Sequence, residues 1–152
     1  MINYVIGDAT CPIGDGLKII SHVVNSSGAW GRGFVVALSQ RWEHLGPRYR
    51  QSVRLNELKL GSVDLIRVES DIWVANMMAQ KGLRSRDNPV PLRLDALTEC
   101  LATLKTKAWR HSVHMPRIGT GLGGSAWNQV EPIIARELDG VDVFVYDLPV
   151  KK

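Results

Sequence analysis

The sequence predicts an α/β fold in which a central sheet carries helices on both faces. Three observations predict it. β-rich runs alternate with helix-like stretches along the whole chain. Strand-like runs open twice into a glycine-rich loop that precedes a helix, at residues 25–33 and 116–124. The 152 residues, 45% hydrophobic and 22% charged, supply one sizeable core and too little chain for two.

Residues 3–6 read as a strand ended by Gly7-Asp8. Residues 17–24 are a second β-rich run. A helix follows over 33–42, with Phe34, Leu38 and Trp42 spaced by four on one face, and a short helix starts near Pro47. Residues 62–68 and 72–77 read as two strands joined by the turn residues Glu69-Ser70-Asp71. Residues 82–91, polar, basic and with two prolines, read as a loop. The helix over 92–107 carries Leu94, Leu97, Leu101 and Leu104 at three- and four-residue steps. Residues 113–118 form a strand. Val130, Ile133, Ile134 and Leu138 stripe a last helix that stops near Gly140, and residues 141–146 form the closing strand. Ligands of such folds sit beyond the C-terminal ends of the strands.

Bulk properties exclude several function classes. No run of about 18 apolar residues exists, so no membrane span is expected. The start, Met1-Ile2-Asn3-Tyr4, lacks the basic and apolar parts of a signal peptide, which points to the cytoplasm. Cys11 and Cys100 are far apart and lack metal-ligand spacing, so both read as reduced, buried thiols. The formal net charge of +4 suits an anionic ligand without requiring one. Its local concentrations are 81–86 and 105–110, and the first is expected to be a solvated loop that could face an acidic partner. No dense basic stripe or docking motif for duplex nucleic acid is present. The histidines and cysteines lack metal spacing, and no cofactor is expected.

The first site candidate is Asn25-Ser26-Ser27-Gly28-Ala29-Trp30-Gly31-Arg32-Gly33 with Phe34 after it. Glycines let its backbone approach a ligand closely, and successive N–H groups leading into a helix can cradle phosphate oxygens. A ligand-free strand-to-helix turn would use the same residues. It is neither a Walker motif nor the dinucleotide fingerprint. The second candidate is Pro116-Arg117-Ile118-Gly119-Thr120-Gly121-Leu122-Gly123-Gly124. Two N–H cradles at one sheet edge would suit a diphosphate with a sugar at each end. Gly7-Asp8 could accept from an adenine amino group or cap a turn. Tyr146-Asp147 could border a base or simply end a strand. His22 lies inside a β-rich run and reads as a satisfied core histidine before it reads as a base. His44, His111 and His114 fall outside both loops.

The strings Tyr4-Val5-Ile6-Gly7-Asp8, His22-Val23-Val24-Asn25, Trp30-Gly31-Arg32-Gly33 and Met115-Pro116-Arg117-Ile118-Gly119-Thr120-Gly121-Leu122 resemble those of macrodomains, as does the strand ending at Asp147. The resemblance spans nearly the whole chain and is strongest to the branch of the terminal ADP-ribose protein glycohydrolase and its bacterial and phage relatives. It implies a single three-layer α/β/α macrodomain over 1–152, with a mixed sheet, acting as a monomer. It implies an ADP-ribose ligand, free or attached to protein, with ADP-ribosylated nucleic acid a further substrate. Asp8 would bind the adenine amino group, with Ile6, Gly7 and Thr10 near the base and Tyr146 and Asp147 bordering it. Asn25, Ala29, Trp30, Gly31, Arg32, Gly33 and Phe34 would wrap the distal ribose and one phosphate. Pro116, Ile118, Gly119, Thr120, Gly121, Leu122 and Gly123 would hold the diphosphate from the other side. Trp30 would wall the distal ribose or pack into the core.

The branch uses a lysine after its fourth strand and an aspartate after the Gly-x-Gly-Leu string. Gln80 and Gly123 stand at those positions here, and Lys81 is one residue away, turned to the opposite face of a strand. The implied activity is removal of ADP-ribose from an oxygen-linked acceptor, with Asn25, Ser26 and Ser27 orienting a water. The alternatives are a phosphatase acting on ADP-ribose 1-phosphate and a non-catalytic ADP-ribose reader.

Overall fold

The structure, a computed structural model, describes residues 2–150. Among these, six strands and four helices follow the order β1 (Ile2–Ile6), β2 (Leu17–Asn25), α1 (Phe34–Arg41), α2 (Leu45–Arg54), β3 (Val63–Glu69), β4 (Ile72–Gln80), α3 (Leu94–Lys107), β5 (His111–Met115), α4 (Trp127–Glu137) and β6 (Val143–Asp147). One sheet holds all six strands in the order β1-β6-β5-β2-β4-β3. Every neighbouring pair is parallel except the β3–β4 hairpin. The sheet is therefore mixed, with its antiparallel strand at one edge.

Side-chain alternation along the central strands divides the core into two layers, one on each face of the sheet, because successive residues point to opposite faces. Ile19, Ala75, Met77, Val113, Met115 and Val143 face α3 and α4, where Leu97, Leu101, Leu104, Val130, Ile134 and Leu138 meet them. Ile20, Val24, Val74 and Met78 face α1 and α2, where Leu38, Leu45 and Tyr49 meet them. The result is the expected α/β/α sandwich. β2 and β4 are buried on both faces and so read as near-continuous apolar runs.

Several boundaries differ from expectation for physical reasons. β4 runs on to Gln80, because Met78 and Ala79 are buried on both faces although neither is β-branched. β5 starts earlier and stops at Met115, since Pro116 offers no N–H to a ladder. The buried stripe of α3 begins at Ala96 and Leu97; Leu94 is exposed in the first turn. Asp95 in that turn and Lys105 and Lys107 in the last one match the helix dipole. Of the two thiols, Cys100 is buried, but Cys11 is exposed. The loop after β1 lies on the surface, where the Arg41 guanidinium donates to the Cys11 sulfur at 3.3 Å. No helix of the described residues is long and apolar enough to cross a membrane.

Leu101 is fully buried between α3 and the sheet. Leu101→Ala is expected to cost about 2–5 kcal/mol, measured as a lower denaturant midpoint at unchanged slope.

Candidate functional site

β2 and β5 pair only from Leu17–His111 to Ile20–His114. Beyond that they part, and a cleft of about 350 Å³ opens between their C-terminal ends. One wall is the loop from Asn25 to α1, through Asn25, Ala29, Arg32, Gly33, Phe34 and Val35. The other is the loop after β5, through Pro116, Arg117, Ile118, Gly119, Gly121, Leu122 and Gly123. His22 and Gln80 reach its floor. A recess of about 190 Å³ continues from it, shares Asn25, Ala29, Arg32, Gln80 and Leu122, and adds Gly31, Leu83, Arg84 and Pro91.

Both walls present backbone donors. Among the described residues no acceptor meets the N–H groups of residues 30–35, and none meets those of residues 119–123. Backbone donors left without a partner are satisfied by solvent or by a ligand. The first row leads into α1, whose dipole adds positive potential. Gly33 caps that helix with φ 83°, a conformation other residues enter only with strain. In the second row Gly123 is buried, and a Cβ there would lie 2.6 Å from the Gly119 carbonyl oxygen. Thr120 points away from the donors: its hydroxyl donates to the Arg117 carbonyl at 2.7 Å.

The three residues expected to orient water are bonded within the scaffold. Asn25 Oδ1 accepts from the Ser27 N–H at 3.0 Å, the Ser27 hydroxyl at 2.6 Å and the Ala29 N–H at 3.3 Å, and its Nδ2 donates to the Ala29 carbonyl at 2.9 Å. Ser26 Oγ accepts from the Gly82 N–H at 2.9 Å. That bond ties the first loop to the basic segment, which lies beside the cleft. Trp30 packs into the core: it is buried, sits 5.2 Å from the Tyr49 ring, and its indole N–H donates to Ser39 Oγ at 2.8 Å.

At the far end, Asp8 folds into a turn, its Oδ1 accepting from both the N–H and the hydroxyl of Thr10 at 2.8 Å. Thr10 is itself buried. Ile6, 77% exposed, stands beside the Gly7 turn. Tyr146 is buried; its hydroxyl accepts from the Ile13 N–H at 3.0 Å and lies 2.7 Å from His114 Nδ1. Asp147 forms a bidentate pair with Arg117 at 2.7 and 2.9 Å, which holds its carboxyl below the usual carboxylate range. The Arg117 guanidinium lies between the rings of Tyr4 and Trp127.

The structure brings both glycine-rich loops to one cleft, with His22 and Gln80 beneath them. His22 is at once a core histidine and a cleft residue: its Nε2 lies 2.5 Å from Asn76 Oδ1, and burial lowers its pKa to about 4. Gln80, the last residue of β4, lines the cleft; Lys81 lies beyond the end of the strand and is not among the lining residues. No Asp or Glu lines either the cleft or the recess among the described residues. The two-carboxylate machinery of ordinary glycosidases is therefore not assembled here.

Comparison with known proteins agrees with this geometry. No family profile matches the chain. A macrodomain protein from Streptomyces coelicolor is 42% identical, covers 97% of this chain and 99% of its own, and superposes with a TM-score of 0.85. A protein of unknown function from Bacteroides thetaiotaomicron is 44% identical over 97% of this chain and 98% of its own, with a TM-score of 0.91. The chain belongs to the macrodomain family. DarTG from Thermosipho africanus, solved in complex with ADP-ribose, has the same fold at 20% identity, covering 90% of this chain and 39% of its own, with a TM-score of 0.73. Mouse chromodomain-helicase-DNA-binding protein 1-like is 34% identical over 99% of this chain, which spans only 18% of that protein's length. ADP-ribose 1''-phosphate phosphatase from Lodderomyces elongisporus is 24% identical over 95% of this chain and 97% of its own.

Two expectations follow. His22 and His114 are both buried, and burial lowers both pKa values from 6.5 to about 4. The unfolded chain thus takes up protons first, so stability held above pH 6.5 falls as the pH drops towards 4. His114→Gln should flatten the slope of unfolding free energy against pH in that window. Gly123→Ala should lower the melting temperature sharply, since the obstacle is backbone; an unchanged melt would mean the loop is looser than described.

Proposed function

We propose that this macrodomain binds ADP-ribose along the cleft and releases it from an oxygen-linked acceptor. The observation that carries the reading is the pair of unpartnered N–H rows, residues 30–35 and 119–123, facing one another across a cleft without carboxylates. A diphosphate offers acceptors to both rows at once, and charge-assisted bonds to backbone N–H groups are the strong kind. The adenine would then lie over Ile6 towards Asp8, bordered by Tyr146 and the Arg117–Asp147 pair. The distal ribose would lie over Asn25, Ala29 and Gln80, with the acceptor leaving through the recess. The relatives whose names carry ADP-ribose support the same ligand.

In the reaction, water adds to the anomeric carbon of the distal ribose. The bond from that carbon to the acceptor oxygen breaks, and the proton lost by the water ends on the acceptor. With neither the branch's lysine nor its aspartate available, a phosphate oxygen of the ligand takes the proton in passing. The protein contributes orientation and stabilisation of developing charge. His22 is buried and its Nε2 is engaged by Asn76 Oδ1, so it is given no part in the proton transfer. Arg32 and Arg84 line the recess through which the acceptor would leave, and their charge also suits a phosphate there, which supports the phosphatase reading. The carboxylate-free cleft equally favours a reader that binds without turnover.

Calorimetric titration with ADP-ribose tests the reading first. Clear binding is expected, with Asp8→Ala weaker by about 10- to 100-fold; no heat from the unaltered protein would sink the proposal. Ester-linked ADP-ribosyl protein and ADP-ribose 1''-phosphate then separate the activities. Release from the first supports the hydrolase, phosphate from the second alone supports the phosphatase, and binding without either supports the reader.

A further inference from the structure

We infer that Tyr49, a residue of α2 behind the cleft wall, is the positioning residue for the distal-ribose end of the site. The inference rests on the ADP-ribose reading above. Tyr49 is fully buried, and the hydroxyl makes all its hydrogen bonds to one loop. It donates to the Asn25 carbonyl at 2.5 Å, lies 3.0 Å from Asn25 Oδ1, and accepts from the Gly28 N–H at 3.2 Å. No other element of the core shares it.

The loop needs such a clamp. The β2–β4 register shifts between Val24 and Asn25, so the strand's regular ladder is broken at the residue where the loop begins. The Asn25 side chain ties the loop to itself through Ser27 and Ala29, and its hydrogen bond to the core is the one it accepts from the Tyr49 hydroxyl. Ser26 fixes the outer side only, through Gln80 and Gly82. The phenol supplies the inner side, and the ring beneath it packs on Trp30. Burial pushes Tyr49 up to about 12, so the donating proton stays in place across the working pH range.

A structural role in the core and a positioning role in the loop predict different ligand profiles. Tyr49 holds Asn25 and Gly28, beneath the distal ribose, and none of the 30–35 donors that meet a phosphate. ADP lacks that ribose, so displacing this part of the loop weakens ADP-ribose and spares ADP. The experiment titrates the unaltered protein, Tyr49→Phe and Ser39→Ala with both nucleotides, after a thermal melt of each. Ser39→Ala removes the partner of the Trp30 indole beneath the same loop and leaves the phenol intact.

The unaltered protein is expected to bind ADP-ribose more tightly than ADP. Tyr49→Phe is expected to lose about tenfold in ADP-ribose affinity while holding ADP within about twofold. Ser39→Ala is expected to keep the original ratio. Unchanged ADP-ribose affinity in Tyr49→Phe overturns the inference, as does an equal loss for both nucleotides. So does a matching shift in Ser39→Ala, or equal affinities in the unaltered protein. A Tyr49→Phe protein that no longer folds overturns it too, because the hydroxyl would then be supporting the core. Failure of the unaltered protein to bind either nucleotide is a different outcome and removes the ADP-ribose reading itself.

Discussion

Beyond the pair formed by Ile20 and His114, β2 and β5 no longer share hydrogen bonds, and β2 runs on beside β4 alone. Two parallel neighbours that end at different heights leave a notch, and the chain leaving each strand must turn back over one face of the sheet. The turn after β2 leads into α1 on one face, and the turn after β5 leads towards α4 on the other. The two backbones therefore face each other across the notch with their N–H groups free. The acceptors of both loops are engaged elsewhere or left unpaired with these donors, so the site follows from strand length as much as from any side chain.

The floor shows how a parallel core tolerates polar groups so close to a ligand. His22 and Asn76 are register partners on β2 and β4 and bond side chain to side chain in full burial. Ser112, His114 and Tyr146 make a second run on the same face, with His114 Nε2 2.7 Å from Ser112 Oγ and Nδ1 2.7 Å from the phenol. That run ends at the Ile13 N–H, in the loop that holds Asp8. Both groups keep their imidazoles neutral by burial, and buried polar groups persist only when paired. Each also reaches a loop or wall of the cleft, so the polar pairing that the core requires sets the geometry of the site above it.

This division explains what the sequence made legible. Leu97, Leu101 and Leu104 could be assigned to a buried helix face because their spacing is local. The two glycine loops could be placed at the sheet edge because strand, loop and helix follow in order. Tyr49 could not be assigned a role, since its partners are 21 and 24 positions away and nothing in Arg48-Tyr49-Arg50 marks it. Asn25 was read as a residue that holds a ligand or water, and the sequence gives no sign that its Oδ1 accepts from Ser27, Ala29 and Tyr49 or that its Nδ2 donates to the Ala29 carbonyl. Trp30 had two open readings, and only the positions of α1 and α2 decide for the core.

Gly123 bears most on mechanism. The related branch carries an aspartate at the matching position, and here the backbone leaves no room even for a methyl group. The loop is closed here by the Leu92 N–H, which donates to the Gly123 carbonyl at 3.2 Å. Gln80, at the lysine position, still faces the cleft but offers an amide where a nucleophile stood. Restoring either side chain alone would meet an environment built without it. The proposed reaction accordingly draws its base from the ligand and its stabilisation from the two N–H rows and the arginines of the recess. That dependence ties catalysis to how firmly the distal ribose is held, and so to the residues that fix the first loop.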